Sequence, residues 1–276
     1  MEQPRELAFQ IIYRVAEKGE YSHIVLSEVL EEAKELEKRD RAFITRLCEG
    51  TLERIFTLDY ILDHFSKIKT RKMKPVIRTI LRMSLYQMLY MDRVPDSAVC
   101  NEAVKLTKKK GFSVLSGFVN GVLRTMARNK TEIERDGFYP DKVAEPARFL
   151  SILCSLPEWL CDYFIKTYGM ERAEQIAAGC LRNPVTTVRV NETKSSAECL
   201  KERFALKGIT AETGAYVPDS LQISGYDSLE QIEEFREGMF QVQDESSMLV
   251  AYMAGFRKGD FVVDVCAAPG GKALHA

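Results

Sequence analysis

The sequence predicts a multidomain protein: an all-α helical bundle, then a small α+β subdomain, then the first strand and loop of an α/β domain. Apolar residues recur at helical spacing through the first 130 residues, with no strand signal. Helices and short strands then alternate over about 85 residues, which is typical of an α+β unit. A final apolar run followed by a glycine turn indicates a buried strand that leads into a ligand loop.

Composition restricts the class of protein. The chain has 276 residues, of which 46% are hydrophobic and 29% charged, as expected for a globular protein of about two domains. No apolar run approaches the roughly 20 residues that cross a bilayer, and the N-terminus lacks the apolar stretch of a secretory signal. We therefore expect a cytoplasmic protein with no membrane partner.

The net charge of −1 hides an asymmetry between the two halves. Residues 1–130 contain 24 lysines and arginines against 17 acidic residues, whereas residues 131–276 contain 15 against 23. Attraction to phosphate is local, so the basic half predicts a polyanionic partner for that half.

The seven cysteines are scattered, at positions 48, 100, 154, 161, 180, 199 and 266. They include no C-x-x-C pair, and with only three histidines they predict no metal site. We expect reduced, mostly buried thiols, and no surrounding motif identifies a nucleophile.

The first 65 residues predict four helices. Pro4 begins a helix over 4–17, where apolar residues recur four apart. A second helix is predicted over about 24–36, and two more over 39–65 with a break near Phe56.

The rest of this half predicts three more helices. Pro75 begins a helix whose apolar residues occupy most of its circumference, which indicates the central helix of the bundle. The next helix begins at a cap, Asp96 or Ser97, and ends near Lys109, and the last covers 114–128.

Four stretches in this half resemble the NusB family of RNA-binding antitermination domains. They are residues 82–88 (RMSLYQM), the Val94-Pro95 turn, residues 101–106 (NEAVKL) and residues 118–124 (FVNGVLR). The resemblance implies a NusB-like all-α RNA-binding domain, which we assign to residues 1–130.

Two basic clusters lie in this predicted domain: Lys67, Lys69, Arg71, Lys72 and Lys74, and Lys108 to Lys110. One interpretation is a phosphate-contacting surface that positions RNA without reading its bases. The other is a set of solvated helix ends, where lysines at a C-terminus also favour the helix dipole. The sequence leaves both interpretations open.

Residues 131–150 contain two prolines and mixed charge, and they predict a linker with room for a short helix. Helices are predicted near 157–168 and 171–182. Trp159, the only tryptophan, is interpreted as a core residue rather than a platform for stacking RNA bases.

The next section predicts a small sheet with helices, assigned to residues 151–240. Strands are predicted over 186–191, on both sides of Pro218-Asp219, and over 239–242, with helices around 197–206 and 228–236. A helix over 244–255 then leads to the last strand.

Residues 261–265, which are apolar or β-branched except for Asp264, predict a fully buried parallel strand. In the turn that follows, Gly270 and Gly271 permit positive φ and let backbone N–H groups approach an anion. A helix beginning near Lys272 would add the positive end of its dipole. The turn matches neither the Walker A pattern nor the dinucleotide-binding pattern.

This turn resembles, over seven residues, the first cofactor motif of the RsmB/NOP family of S-adenosylmethionine-dependent RNA cytosine-C5 methyltransferases. The resemblance implies a Rossmann-like methyltransferase domain that begins at residues 241–276, with S-adenosyl-L-methionine as cofactor. The implied cofactor-binding residues are Cys266, Ala267, Ala268, Pro269, Gly270, Gly271 and Lys272. A tight turn without a ligand is the alternative.

Residues 189–191 (RVN) and 240–247 (FQVQDESS) also resemble this family, at its RNA-binding subdomain. The resemblance makes Arg189 a candidate RNA contact. Gln243 and Asp244 either face the substrate or serve as a strand end and a helix cap, and both interpretations stay open.

In this family a cysteine thiolate adds to C6 of cytosine, and a carboxylate near N3 assists, so that C5 accepts the methyl group. The resemblance places these residues well after the first cofactor motif. The catalytic cysteine is therefore expected beyond Ala276, and no catalytic residue is assigned. A doubly wound domain needs several further strands, so we expect a chain truncated within its catalytic domain that binds RNA weakly and does not methylate it.

The resemblances together imply an RsmB-type methyltransferase of ribosomal RNA, with 16S ribosomal RNA as partner. An alternative from another class is a non-enzymatic NusB-like RNA-binding factor in transcription antitermination, which would not need residues 151–276. A methyltransferase acting on another RNA, such as transfer RNA, differs only in its target.

Overall fold

The computed structural model describes residues 3–33, 35–135, 137–182, 185–226 and 228–275. The chain divides into two units, Met1–Arg182 and Asn183–Ala276. Within the described ranges, no helix has both the length and the apolar character needed to cross a membrane.

The first unit is helical, and its described residues contain eleven α-helices and no β-strand. The helices are α1 (Pro4–Lys18), α2 (Ser22–Glu32), α3 (Lys38–Glu53), α4 (Ile55–Phe65), α5 (Pro75–Tyr90), α6 (Asp96–Lys109), α7 (Ser116–Arg128), α8 (Lys130–Ile133), α9 (Pro146–Cys154), α10 (Glu158–Tyr168) and α11 (Met170–Gly179). The predicted helices are confirmed, with shifts of a few residues at their ends. The break predicted near Phe56 lies instead at Arg54.

Helix α5 is the central helix of this unit, as its apolar pattern predicts. Eleven of its residues are buried, from Ile77 to Met88 with one gap at Arg78. Helix α3 approaches it closely at Gly50, where an added Cβ would lie 2.0 Å from the Tyr86 hydroxyl. Glycine is therefore required for the packing of α3 on α5.

The segment predicted as a linker packs against α4. Phe138 is buried, its carbonyl accepts a hydrogen bond of 2.8 Å from the Tyr60 hydroxyl, and Thr57 donates to the Ile152 carbonyl at 2.6 Å. Helices α9 to α11 continue from it around a small apolar cluster. The predicted linker and helices α9 to α11 therefore belong to the first unit, and the chain divides after residue 182. The domain limits predicted at residues 130, 150 and 240 stay predictions.

The second unit is a four-stranded antiparallel sheet with helices, as the alternation of strands and helices predicts. Its elements are β1 (Thr186–Val190), α12 (Ala197–Leu206), β2 (Thr210–Thr213), β3 (Ser220–Ser224), α13 (Glu233–Arg236), β4 (Phe240–Val242) and α14 (Glu245–Ala254). The strand order is β2-β3-β1-β4, so β1 lies in the interior of the sheet. Val188 and Val190 face a core that includes Phe204 of α12 and Phe240 of β4, while Arg189 between them points to the other face.

Glu245, the first residue of α14, joins this helix to the turn before β3. Its buried carboxylate accepts hydrogen bonds from the N–H groups of Ala215, Tyr216 and Val217, at 3.2, 2.9 and 3.0 Å, and from the Ser220 hydroxyl at 2.7 Å. Burial opposes the charged form, but these donors together hold the pKa of Glu245 below its ordinary value of 4.5. The carboxylate is therefore a structural anchor.

The prediction of a buried strand over residues 261–265 is wrong for the described structure. The backbone there is not paired with any described strand, and the side chains of Phe261 and Val265 are 94% and 89% exposed. A strand obtains its backbone hydrogen bonds only from neighbouring strands, and β1 to β4 supply none to this segment. The helix predicted near Lys272 is also not formed, because residues 271–275 are a turn.

Candidate functional site

The candidate cofactor loop, residues 266–272, is a compact and largely exposed bend. Gly270 has φ of 104°, which favours glycine as the sequence predicts, and its N–H donates to the Ala267 carbonyl at 2.5 Å. The Ala268–Pro269 peptide is cis. The Cys266 N–H donates to the Asp264 carboxylate at 2.9 Å, so the start of the bend is also held locally.

Two side chains of the sheet hold the far end of the bend. The Gly271 carbonyl accepts a hydrogen bond of 3.0 Å from Gln243 Nε2 and one of 3.3 Å from Arg189 Nη1. Both side chains are nearly buried. The structure therefore brings Arg189 and Gln243, two of the sequence candidates, together with the loop.

Backbone donors at the end of the bend have no acceptor. Within the described residues, the N–H groups of Gly271, Lys272 and Ala273 make no hydrogen bond, whereas those of Leu274 and His275 do. The Lys272 side chain is exposed and forms no ion pair with the described residues. Successive free N–H groups beside a cation can hold a carboxylate or phosphate.

A second group of polar side chains lies beside the loop, and no sequence motif indicated it. The Tyr252 hydroxyl donates to the Asp219 carboxylate, and His275 Nε2 lies 3.9 Å from the same carboxylate. Tyr252 and His275 also line a cavity of about 300 Å³. Asp219 is visible in the sequence only as part of a turn, and Tyr252 only as an apolar helix position.

Burial and charge set the protonation of this group. Burial, followed by the hydrogen bond to Asp219, raises the pKa of Tyr252 to about 12. Burial, followed by the charge of Arg189, lowers the pKa of His275, although Asp219 opposes this shift. Burial also lowers the pKa of Arg189, again against Asp219. Near neutral pH, Tyr252 therefore keeps the proton that it donates to Asp219, and His275 is neutral.

The remaining candidates have defined places. Asp244 is the N-cap of α14, where its carboxylate accepts the Ser246 N–H at 2.8 Å, so the capping interpretation is confirmed. Trp159 is 70% exposed on α10, so its interpretation as a core residue is wrong. Cys161 is the buried residue of α10, and Trp159 lies on the exposed face of this helix. A single aromatic residue does not reveal its face in a helix pattern.

Four of the seven free cysteines are buried and three are exposed. Burial raises the pKa of the Cys48, Cys100, Cys154 and Cys161 thiols, in the last case to about 11. Protonated thiols are poor nucleophiles. Among the described residues, no cluster of histidine, cysteine and acidic side chains has metal-site geometry.

Comparison with known families defines two classes of domain in the chain. Residues 2–128 match the NusB family, and residues 156–229 match the Methyltr_RsmF/B-like, ferredoxin-like domain. These matches agree with the resemblance of the first half to the NusB family and of residues 189–191 to the RNA-binding subdomain of the RsmB/NOP family. The resemblance of residues 266–272 to a cofactor motif stays a prediction.

Individual relatives extend the match over nearly the whole chain. It is 36% identical over 272 residues to the probable ribosomal RNA small subunit methyltransferase B of Bacillus subtilis, covering 98% of this chain and 59% of that protein. A relative of the same name from Synechocystis sp. is 32% identical over 272 residues, covering 98% and 59%. The chain therefore spans 59% of the length of these curated relatives.

A solved structure shares the fold. The crystal structure of PH0851 superposes with a TM-score of 0.68 at 19% sequence identity, covering 100% of this chain and 60% of that one.

Proposed function

We propose that the chain belongs to an RsmB-type methyltransferase that transfers a methyl group from S-adenosylmethionine to C5 of a cytosine in small-subunit ribosomal RNA. The observation that carries the proposal is the 36% identity, over 98% of the chain, to a relative named as a methyltransferase of that RNA. The NusB-family and RsmF/B-like domains support it. Because the relatives are longer, the reaction is assigned to a protein of their full length.

The loop at residues 266–272 fits the carboxylate end of S-adenosylmethionine. Its free N–H groups at Gly271 and Lys272, and the exposed Lys272 ammonium, are the donors that an anionic group needs. When bound, S-adenosylmethionine supplies an electrophilic methyl group. The role assigned to the loop is to bind and orient the amino-acid end of that molecule.

Arg189 and Gln243 are assigned a positioning role. Both donate to the Gly271 carbonyl, so this oxygen points towards the sheet. Arg189 lies in β1, and Gln243 directly follows β4, where its N–H donates to the Thr187 carbonyl at 3.1 Å. With the carbonyl turned inwards, the adjacent Lys272 N–H is left without an acceptor.

No nucleophile is assigned among residues 1–276. The buried cysteines are held as thiols, and Cys266 lies within the cofactor loop itself. The thiolate that attacks C6 of cytosine is assigned to the remaining length of the enzyme, as the family resemblance implies.

Titration calorimetry with S-adenosylmethionine tests the loop. The chain offers a matched pair of variants, Gly270→Val and Gly259→Val, because both glycines have φ near 100° but only Gly270 lies in the loop. We expect saturable uptake of S-adenosylmethionine that Gly270→Val abolishes and Gly259→Val retains. No uptake, or equal loss in both variants, would contradict the assignment.

Methyl transfer tests the substrate. A protein of the relatives' full length that contains this chain should transfer labelled methyl from S-adenosylmethionine to small-subunit ribosomal RNA, with the label recovered as 5-methylcytidine. Label recovered on transfer RNA alone would contradict the assignment of small-subunit ribosomal RNA as the substrate. RNA binding with no uptake of the methyl donor would overturn the enzyme and favour a NusB-like RNA-binding factor.

A further inference from the structure

The connection between α4 and α5, residues 66–74, is the most basic surface segment of the described chain, and we call it the basic loop. All five of its cations are exposed: Lys67, Lys69, Arg71, Lys72 and Lys74. No aspartate or glutamate occurs between Asp63 and Asp92 in the sequence. Asp63, just before the segment, is therefore its nearest acidic neighbour along the chain.

Side chains at its beginning hold the basic loop in one conformation. The Asp63 carboxylate accepts the Thr70 N–H at 2.5 Å. The Ser66 hydroxyl donates to the Ile68 carbonyl at 2.8 Å and accepts the Ile68 N–H at 3.2 Å. Residues Thr70–Lys72 form a turn of 3₁₀ helix. The cations are thus displayed on an ordered backbone.

An ion network at its other end uses the nearby acidic groups. Arg78 donates to the Thr70 carbonyl at 3.2 Å and binds Glu17, whose carboxylate is nearly buried and also accepts from Arg82 at 3.2 Å. Arg82 also donates two hydrogen bonds to the Asp59 carboxylate, of 2.7 and 2.6 Å. Glu17 and Asp59 are therefore paired with the arginines of α5 and not with the cations of the basic loop.

Four of the five cations have no partner among the described residues, because only Lys69 donates, to the Asp63 carbonyl at 2.6 Å. The N-terminus of α5 follows directly. Pro75 occupies its first position, Lys74 provides no side-chain cap, and the first turn carries no acidic residue. The uncapped N–H groups and dipole of this 16-residue helix add positive potential at the same place.

The other basic cluster, Lys108 to Lys110, offers less free charge. Lys109 pairs with Glu6 at 2.5 Å, and Lys110 lies over the Phe9 ring at 4.8 Å. Within the described residues, only Lys108 of the three lacks a partner. The structure therefore distinguishes two clusters that are equivalent in the sequence.

We infer that the basic loop is a docking surface for the phosphate backbone of ribosomal RNA. That the partner is ribosomal RNA rests on the proposed function. That the partner is an anion follows from the exposed, unpaired cations of the basic loop. Contacts of this kind position a nucleic acid without reading its sequence. The basic loop thus sets how the RNA is presented, and base recognition belongs elsewhere.

Salt-dependent binding to a labelled RNA duplex of about 20 base pairs tests this inference. Such a duplex is longer than the roughly 16 base pairs that a double-stranded-RNA-binding domain spans. The loop variant is Lys67→Gln, Arg71→Gln, Lys72→Gln and Lys74→Gln, which leaves Asp63, Ser66 and Arg78 in place. The control variant removes four charges elsewhere in the same unit, by Lys105→Gln, Lys108→Gln, Lys109→Gln and Lys110→Gln.

The loop variant should bind more than about tenfold more weakly at low salt. The slope of log affinity against log salt should fall in magnitude by about 3.6, at about 0.9 for each of the four phosphate contacts removed. The control should change the slope by less than about 1. Equal losses in both variants, or an unchanged slope in the loop variant, would overturn the inference.

Chemical footprinting of the unaltered chain keeps the test independent of variant folding. RNA should protect Lys67, Lys72 and Lys74 from acetylation but leave Lys105 reactive. Loop-dependent binding to phosphatidylglycerol vesicles, with RNA affinity unchanged in the loop variant, would overturn RNA in favour of a lipid surface.

The two proposals fail separately. Loss of RNA binding in the loop variant, without uptake of S-adenosylmethionine by a protein of the relatives' full length that contains this chain, would refute the methyltransferase assignment and keep the basic loop. Uptake of S-adenosylmethionine with full RNA binding by the loop variant would refute the basic loop alone.

Discussion

Helix α5 and residues 261–265 are two apolar stretches with opposite outcomes. Helix α5 is surrounded by other helices, and Leu81 in it is completely buried. In the second stretch Phe261, Val263 and Val265 are exposed and the backbone is unpaired within the described structure. The apolar pattern of the sequence predicts that both stretches are buried.

The difference lies in what each element needs from the rest of the chain. A helix satisfies its backbone hydrogen bonds internally, and its apolar faces need only packing partners. A strand needs neighbours for both its backbone and its side chains. An apolar pattern therefore reports a tendency to be buried, while the partners decide whether burial occurs.

The largest expected effect is at the centre of the bundle. Leu81→Ala should lower the free energy of unfolding by about 2–5 kcal/mol, because it removes a fully buried side chain and leaves a cavity. Urea unfolding followed by circular dichroism measures this. A loss below about 1 kcal/mol would show that α5 can repack, against the close packing observed.

A smaller effect is expected where α3 meets α5. Gly50→Ala places a Cβ 2.0 Å from the Tyr86 hydroxyl, and relieving this overlap should destabilise the first unit by about 1–3 kcal/mol. Gly117→Ala is the matched control, because a Cβ at this helical glycine meets no atom within 4 Å. Stabilisation by both substitutions would contradict the close contact of α3 with α5.

In the second unit, Glu245→Gln should lower stability by about 1–2 kcal/mol, because four donors lose a charged acceptor. Amide exchange of residues 215–220 measures the effect locally. Faster exchange there, with α5 unchanged, is the expected pattern, and unchanged exchange would contradict the anchoring role.

The same carboxylate predicts a pH dependence. Its pKa in the folded chain lies below the ordinary value, so its stabilisation is present above about pH 4.5 and is lost as the pH falls through the folded-state pKa. Glu245→Gln should lack this part of the acid loss. Identical acid titrations of the two proteins would show that the carboxylate does not contribute.

The smallest effect is expected in the unpaired stretch. Val263→Ala should change stability by less than about 0.5 kcal/mol, since the side chain is exposed. A larger loss would show that residues 261–265 are packed in solution and would remove the contrast with α5.

Most of the fold could be predicted because local signals and tertiary structure agree. Pro75 begins α5, apolar spacing locates the helices, and alternation locates β1 and β4. The burial of Phe138 could not be predicted, because it depends on contacts with α4 that are distant in sequence. The same holds for the division of the chain after residue 182.

The candidate site was predictable only in part. The motif at residues 266–272 carries its own signal, and the positive φ of Gly270 follows from it. The contacts of Arg189 and Gln243 with the Gly271 carbonyl join residues far apart in sequence, and no motif encodes them. Asp219 and Tyr252 were missed for the same reason.

Trp159 has a practical consequence. It is the only tryptophan in the chain, and its indole is mostly in water. Its fluorescence should therefore change little when the bundle melts, but should shift to shorter wavelength when another molecule or further polypeptide covers α10. The chain thus carries an intrinsic optical reporter of association at that helix, one that needs no attached dye.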